Sequence, residues 1–196
     1  MAGAIRRLTV LHSDGRRRCA WCGTDPLYMA YHDQEWGVPV HNERKLFEML
    51  CLEGAQAGLS WITVLRKRDG YRAAFANFDP KILASWSQQR LNALLQDPGI
   101  VRNRLKIAAV RTNARAYLDL RAAGSSLDEL LWQHAPPQRR NRPRGPSAIP
   151  ATTPASDALS KTLKAHGFKF VGSTICYALM QAVGIVDDHQ LGCWRA

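Results

Sequence analysis

Lys45-Leu46-Phe47-Glu48-Met49-Leu50-Cys51-Leu52-Glu53-Gly54 is the stretch from which the fold can be read. Leu46, Met49 and Leu50 fall on one face at helical spacing. Glu53 continues that stripe, being i+7 from Leu46, i+4 from Met49 and i+3 from Leu50. A carboxylate there points where an apolar side chain is expected. Burying an unpaired charge costs roughly several kcal/mol, so it needs a partner or a purpose. Gly54-Ala55-Gln56-Ala57-Gly58-Leu59-Ser60-Trp61 follows. Small residues beside a buried carboxylate and an indole leave room for a flat, polar ligand. The plainer reading is that Glu53 reaches water or pairs with Arg66 or Lys67, since perturbed carboxylates mark ion pairs as well as active sites.

Helical signals extend in both directions. Asp25-Pro26 pairs an N-cap with proline at the first helical position and predicts a helix to about Glu35, stopping near Gly37. A second helix is expected over roughly 42–57, and Ser60 caps a third from Trp61 to about Arg68. Asp79-Pro80 repeats the start signal, and Ser87 caps a helix ending near Gln96. Asp97-Pro98-Gly99 breaks the chain. Ile100 to about Arg121 reads as a long amphipathic helix, and Ser126 starts a short one to His134. The proline-rich segment 135–150 can be neither helix nor central strand. Ser156 begins a helix to about His166 with Gly167 as its stop, and Thr174 to Val183 reads as another. No alternating strand appears, because Phe168-Lys169-Phe170-Val171 is too short to carry a sheet. The expected class is all-α, with eight to ten helices in a single domain over 18–196. Residues 1–17 read as a flexible extension without periodicity.

The net charge is +11 over 196 residues. Residues 1–18 contribute five arginines against Asp14, a net of +4. Arg139, Arg140, Arg142 and Arg144 contribute another +4, leaving the remainder at +3. Flexible arginines raise affinity for a phosphate backbone but specify nothing, and solvated tails explain them equally well. No apolar run is long enough to span a membrane, and the N-terminus lacks a signal-peptide pattern. Five cysteines are an odd set for a secreted disulfide framework, which favours a reducing cytoplasm.

Three constellations carry chemistry. Cys19, His32, His189 and Cys193 make up a Cys2His2 set, the composition of a structural zinc site that clips the two chain ends together. The spacing is weak on its own: Cys22 competes with Cys19, and buried thiols with a solvated His189 would look the same. Trp21, Tyr28, Tyr31, Trp36 and Trp61 cluster in the first third of the chain. Such aromatics are usually core, but indoles and phenols also stack on nucleobases and hydrogen-bond to them. Gly99, Ile100, Arg102, Arg104 and Lys106 follow a helix and a glycine turn and open the next helix. That is the pattern of a helix-hairpin-helix contact to a DNA backbone, and equally of an ordinary corner with exposed arginines.

Together these residues resemble the 3-methyladenine DNA glycosylase I family of bacterial base-excision repair. The resemblance spans roughly 18–193. It is carried by Asp25-Pro26-Leu27-Tyr28, by Tyr31-His32-Asp33-Gln34-Glu35-Trp36-Gly37-Val38-Pro39 and by Lys45 to Met49 leading into Leu52-Glu53-Gly54 and Ala57-Gly58-Leu59-Ser60-Trp61. Ser156-Asp157-Ala158-Leu159-Ser160-Lys161, Gly167 to Gly172 and Asp188-His189 with Cys193 complete it. The resemblance implies a helix-hairpin-helix glycosylase fold and one structural zinc on Cys19, His32, His189 and Cys193. It also implies a base pocket of Glu53, Tyr31 and Trp61 with Tyr28, Trp36 and Trp21 close by. The implied activity is monofunctional: the damaged nucleotide is flipped out, and hydrolysis of its N-glycosidic bond releases 3-methyladenine. Glu53 is expected to recognise the cationic base and stabilise its charge. Double-stranded alkylated DNA is the implied partner and free 3-methyladenine the product, with a cytoplasmic monomer expected. A zinc-bearing protein that recognises alkylated DNA without cutting it is the alternative. Cys22, the 139–146 arginine-proline loop and the 1–17 extension depart from the family pattern.

Overall fold

The computed structural model describes residues 8–137, 142–144 and 148–196. Arg6, Arg7, Arg139 and Arg140, four of the nine arginines assigned to flexible segments, lie outside the described residues. The fold is largely helical, with ten α-helices and one small sheet among the described residues.

The capping signals place most helices where the sequence predicts. The Asp25 carboxylate accepts from the amides of Leu27 and Tyr28 and starts α1 (Pro26–Gln34). Asn42 caps α2 (Glu43–Gln56) through the Lys45 amide. Such caps satisfy amides that a helix start leaves orphaned, at about 1 kcal/mol each. Every residue of α2 from Leu46 to Ala55 is buried, and the helix packs against α3 (Trp61–Leu65), α7 (Arg104–Ala122), α8 (Leu127–Trp132) and α10 (Ser173–Ala182). It is therefore the central strut, with Leu46, Phe47, Leu50 and Leu52 in the core. A helix covered on all sides is apolar all round; Glu48 and Glu53 are the acidic residues within that buried stretch. α9 (Pro154–Ala165) pairs with α10 and starts two residues before the expected Ser156, because Thr153 and Ser156 form a reciprocal capping box.

Three boundaries differ from expectation. The helix from Trp61 ends at Leu65, and a separate helix, α4 (Arg68–Ala74), follows. Gly70 inside it obscured the pattern, and its role is steric. A Cβ there would sit 2.4 Å from the Gly99 carbonyl oxygen, so the 97–99 turn lies directly on α4. The Val101 amide donates to the Tyr71 hydroxyl, and Lys67 Nζ donates to the Pro98 carbonyl, which fixes the turn further. The second difference is α7, which begins at Arg104 rather than Ile100. Ile100 is drawn into the core, and Asn103 caps the helix through the amides of Leu105 and Lys106. Before it lie α5 (Pro80–Ala84), α6 (Gln88–Ala93) and a 3-10 turn at Leu94–Gln96.

The third difference is at the N-terminal side. In place of an extension without structure, β1 (Thr9–Leu11) pairs antiparallel with β2 (Arg17–Cys19), with Thr9 opposite Cys19. The strands are three residues long and arginine-rich, so no alternation announced them. Trp194 docks on this hairpin, its amide donating to the Arg17 carbonyl, and brings the two ends of the described chain together.

Candidate active site and metal-ligating cluster

A cavity of about 250 Å³ opens between α1, α2, α3 and α10. Its walls are aromatic: Trp21, Tyr28, Tyr31, Trp36 and Trp61. Glu53 and Gln56 from α2, Ala178 and Gln181 from α10, and Ile149 complete it. The volume is of the order of a single flat heterocycle, at the small end of ligand pockets.

Glu53 is 3 % exposed, and its Oε2 has no hydrogen-bond partner among the described residues. Pairing with Arg66 or Lys67 does not occur. Arg66 is bound to Asp25 at 2.6 Å, and Lys67 to the Pro98 carbonyl. Glu48, one turn away, shows the ordinary solution, an ion pair with Arg72 at 2.9 Å. Burial without compensation pushes the Glu53 carboxyl up to about 8. Near neutral pH the carboxyl therefore favours its protonated form.

Hydrogen-bond donors line the same pocket. Trp61 Nε1 is buried without a partner among the described residues, and the Trp61 ring lies 5.3 Å from that of Tyr31. Burial first, then the charges of Glu53 and Glu35, hold the Tyr31 hydroxyl far above the usual phenol value, so it keeps its proton. Burial likewise pushes Tyr28 up to about 12. The Glu53 carboxyl as acceptor and the Tyr31 O–H as donor complement the edge of a heterocycle that carries both acceptors and donors.

Behind the aromatic wall lies a second cluster. One ligand atom each from Cys19, His32 and Cys193 lie within 4.8 Å of one another, and all three residues are buried. Cys19 ends β2, His32 is on α1, and Cys193 is in the C-terminal segment. His189 falls outside that distance but not outside the cluster. Its ring stands edge-on to His32 at 5.0 Å, and its Nε2 is buried without a partner among the described residues. Cys22 is not one of the grouped thiols; its Sγ points to the Gly23 carbonyl at 3.7 Å. Hydrogen bonding from Cys19 outweighs burial and lowers Cys193 towards thiolate, with help from His32. A thiol, a thiolate and an imidazole converging in a dry site form a donor set suited to a thiophilic, tetrahedral cation.

The two clusters share a wall. Trp36 lies 4.7 Å from His189, and Trp21 lies 5.3 Å from His32. Gly37 makes this approach possible, since a Cβ there would meet the His189 ring at 3.0 Å.

The residues expected at a DNA backbone divide. Arg102 and Arg104 are exposed beside the start of α7. The Ile100 side chain is in the core, and Gly99 is packed on Gly70. Lys106 points inward, its ammonium donating to the Ala55 and Ala57 carbonyls at the end of α2. Those carbonyls are left open by the helix terminus, so Lys106 acts as a C-terminal cap.

Gln56, Ile149, Ala178 and Gln181 were not anticipated. Gln56 is i+3 from Glu53 and was recoverable from that spacing; the others come from distant sequence with no local signal. A larger cavity of about 660 Å³ lies beside α9 and α10, lined by residues including Pro136, Tyr177, Met180 and Val186. Its carboxylate, Asp187, is already engaged with Arg142 and His189.

Residues 21–196 match the model of the methyladenine glycosylase family. The chain is 54 % identical over 177 residues to DNA-3-methyladenine glycosylase 1 of Escherichia coli, covering 90 % of this chain and 95 % of that protein. A crystal structure of 3-methyladenine DNA glycosylase I superposes with a TM-score of 0.88 at 54 % identity, covering 90 % of this chain and 98 % of the other. The Staphylococcus aureus 3-methyladenine DNA glycosylase I, a structure concerned with 3-methyladenine recognition, superposes at 0.85 and 35 % identity, covering 90 % and 95 %.

Proposed function

The chain belongs to the methyladenine glycosylase family, and from that premise we propose that it is a monofunctional DNA glycosylase excising 3-methyladenine from alkylated DNA. The observation that carries this reading is Glu53, a buried carboxyl with an unpartnered oxygen in a pocket walled by aromatic rings. A neutral heterocycle gives Glu53 no reason to ionise. A purine methylated at a ring nitrogen is cationic while attached to its sugar, and it supplies the missing charge. Trp61 stacks on the flipped base, the Tyr31 hydroxyl donates to it, and Glu53 accepts from its amino group. Tyr28, Trp36 and Trp21 exclude water from its faces. The glycosidic bond then breaks with its electron pair going to the base, which departs neutral and needs no strong general acid. Water adds to the sugar carbon and loses a proton, leaving an abasic site.

We assign the turn at 97–103 and the start of α7 to the hairpin of a helix-hairpin-helix module. Arg102 and Arg104, both exposed, are placed to grip the phosphate backbone. Gly99 and Ile100 contribute main chain only. Lys106, occupied by two carbonyls, is not available as an amine nucleophile, in keeping with base release without strand cleavage. Residues 18–196 act as one domain, a monomer on double-stranded DNA in the cytoplasm.

Zinc is the cation we assign to Cys19, His32, His189 and Cys193. The buried, unpartnered Nε2 of His189 beside the other three donors fits a fourth ligand. Four protein ligands close the site, so the ion supplies cross-linking rather than Lewis acidity.

The test is to incubate the protein with methylated duplex DNA and chromatograph the released bases. Release of 3-methyladenine with an intact backbone is expected. No release, or a mixture dominated by 7-methylguanine, overturns the reading.

A further inference from the structure

A metal-ligating imidazole almost always donates its other ring N–H to a carboxylate, carbonyl or water, which fixes the ring. Both histidines of the cluster have such a partner, built the same way. His32 Nδ1 lies 2.8 Å from Asp33 Oδ1, and His189 Nδ1 lies 2.7 Å from Asp187 Oδ1. A carboxylate only accepts, so each Nδ1 carries the proton and each Nε2 presents its lone pair. Each carboxylate is in turn held by an arginine. Arg18 chelates Asp33 at 2.7–3.0 Å and is itself clasped by Asp14 from the hairpin turn. Arg142 pairs with Asp187 at 2.5 Å. Trp194 Nε1 adds a third donor to Asp33.

We propose that Asp33 and Asp187 are positioning residues that orient His32 and His189 for the metal, with Arg18 and Arg142 fixing the two carboxylates. The proposal rests on the zinc reading above. It gives two of the three departures from the family pattern, the N-terminal extension and the arginine-proline loop, a task. The N-terminal hairpin precedes the matched span, which begins at residue 21, and it supplies Arg18 and Asp14. The arginine-proline segment supplies Arg142. The ligand shell is thus braced from two surface elements, and metal retention depends on both.

Asp187 is the cleaner of the two to remove. It is partly exposed, as is Arg142, so its loss leaves no buried charge behind. Removing Asp33 leaves Arg18 buried, with Asp14 as its remaining acid. The experiment uses the full-length protein as purified. Elemental analysis first gives the zinc content, and release to 4-(2-pyridylazo)resorcinol then gives the rate of metal loss. Asp187→Ala and Asp33→Ala are expected to release zinc on the order of 10–100-fold faster than wild type. The Asn variants should be intermediate, because an amide oxygen still accepts from Nδ1 but carries no charge. In cobalt-substituted protein the visible absorption bands should shift in the Ala variants and less in the Asn variants, which a purely structural effect on the fold would not do. Asp119→Ala, an exposed carboxylate on α7, should match wild type.

If wild type carries one zinc and both aspartate series release it at the wild-type rate with unchanged cobalt spectra, the positioning role is overturned. If an Ala variant does not fold, the Asn variants decide by the same readings. Wild type purified from zinc-supplemented medium without zinc overturns the metal reading itself, and this proposal with it.

Discussion

Trp36 stands edge-on to His189 with ring centroids 4.7 Å apart, so a wall of the aromatic pocket is in contact with a residue we assign to the zinc site. Trp21 repeats the relationship with His32 at 5.3 Å. Metal loss should therefore be felt in the pocket. Chelation is expected to lower the melting temperature and to change tryptophan fluorescence together, with base binding falling in parallel. A ligand present at a thousand times its dissociation constant contributes about 4 kcal/mol, which for a chain of this size is roughly 10 °C. Thermal scans with and without chelator, followed by zinc add-back, check this. A melting temperature that drops while free 3-methyladenine binds as before would show that the two clusters are energetically separate.

The burial of Glu53 fixes the sign of a stability effect. Its carboxyl rises from 4.5 to about 8 on folding. The folded protein keeps a proton that the unfolded chain has lost, so stability is full below about pH 4.5 and falls as pH rises towards 8. The slope from one such group is about 1.4 kcal/mol per pH unit. Glu53→Gln removes the titration and keeps the shape. The variant should gain on wild type progressively between pH 5 and 8, with a constant difference above that. Urea denaturation at four pH values is sufficient, and parallel curves would mean that Glu53 is charged and compensated in the folded protein.

Much of this site was legible because its chemistry is local in sequence. Glu53 announced itself by interrupting an apolar stripe, and Gly58 and Trp61 followed close behind it in the chain. Asp25-Pro26 and Ser87 marked helix starts that the structure contains. What was not legible depends on packing between distant segments. Ala178, Gln181 and Ile149 reach the pocket only because α10 lies across α2. The helix α4 was hidden by Gly70, a residue chosen for the backbone that sits on it rather than for helix propensity. The N-terminal hairpin was hidden because its strands are too short to alternate. Asp33 and Asp187 sit one and two residues from the histidines they hold, yet proximity in sequence alone could not distinguish a brace from a solvated acid.

The same protonated Glu53 predicts how excision depends on pH. A cationic base is best received by the ionised carboxylate, so its entry expels a proton from the empty pocket. Below pH 8 the apparent affinity for the flipped base should rise by up to tenfold per pH unit, and it should level off above that value. In single-turnover excision from methylated duplex, kcat/KM is expected to follow this limb. The Glu53→Gln variant should be much slower and flat with pH. A wild-type profile that is flat from pH 5.5 to 8.5 would place the carboxylate in its charged form before the base arrives.

Gly70 and Gly99 offer a way to separate DNA grip from base recognition. The missing Cβ at Gly70 is what lets the 97–99 turn sit on α4, since any side chain would meet the Gly99 carbonyl at 2.4 Å. Backbone cannot yield as a flexible side chain does, so Gly70→Ala must displace the turn and the start of α7 behind it. Overpacking of this kind costs about 1–3 kcal/mol, or roughly 3–10 °C in melting temperature. No residue of α4 or of the 97–103 turn lines the Glu53 pocket. The variant is therefore expected to bind free 3-methyladenine like wild type while losing affinity for duplex DNA and with it excision activity. Calorimetry with the free base and fluorescence anisotropy with labelled duplex measure the two separately. Equal losses of both would mean that the displacement spreads to α2, and unchanged duplex affinity would remove the 97–103 turn from the DNA contact.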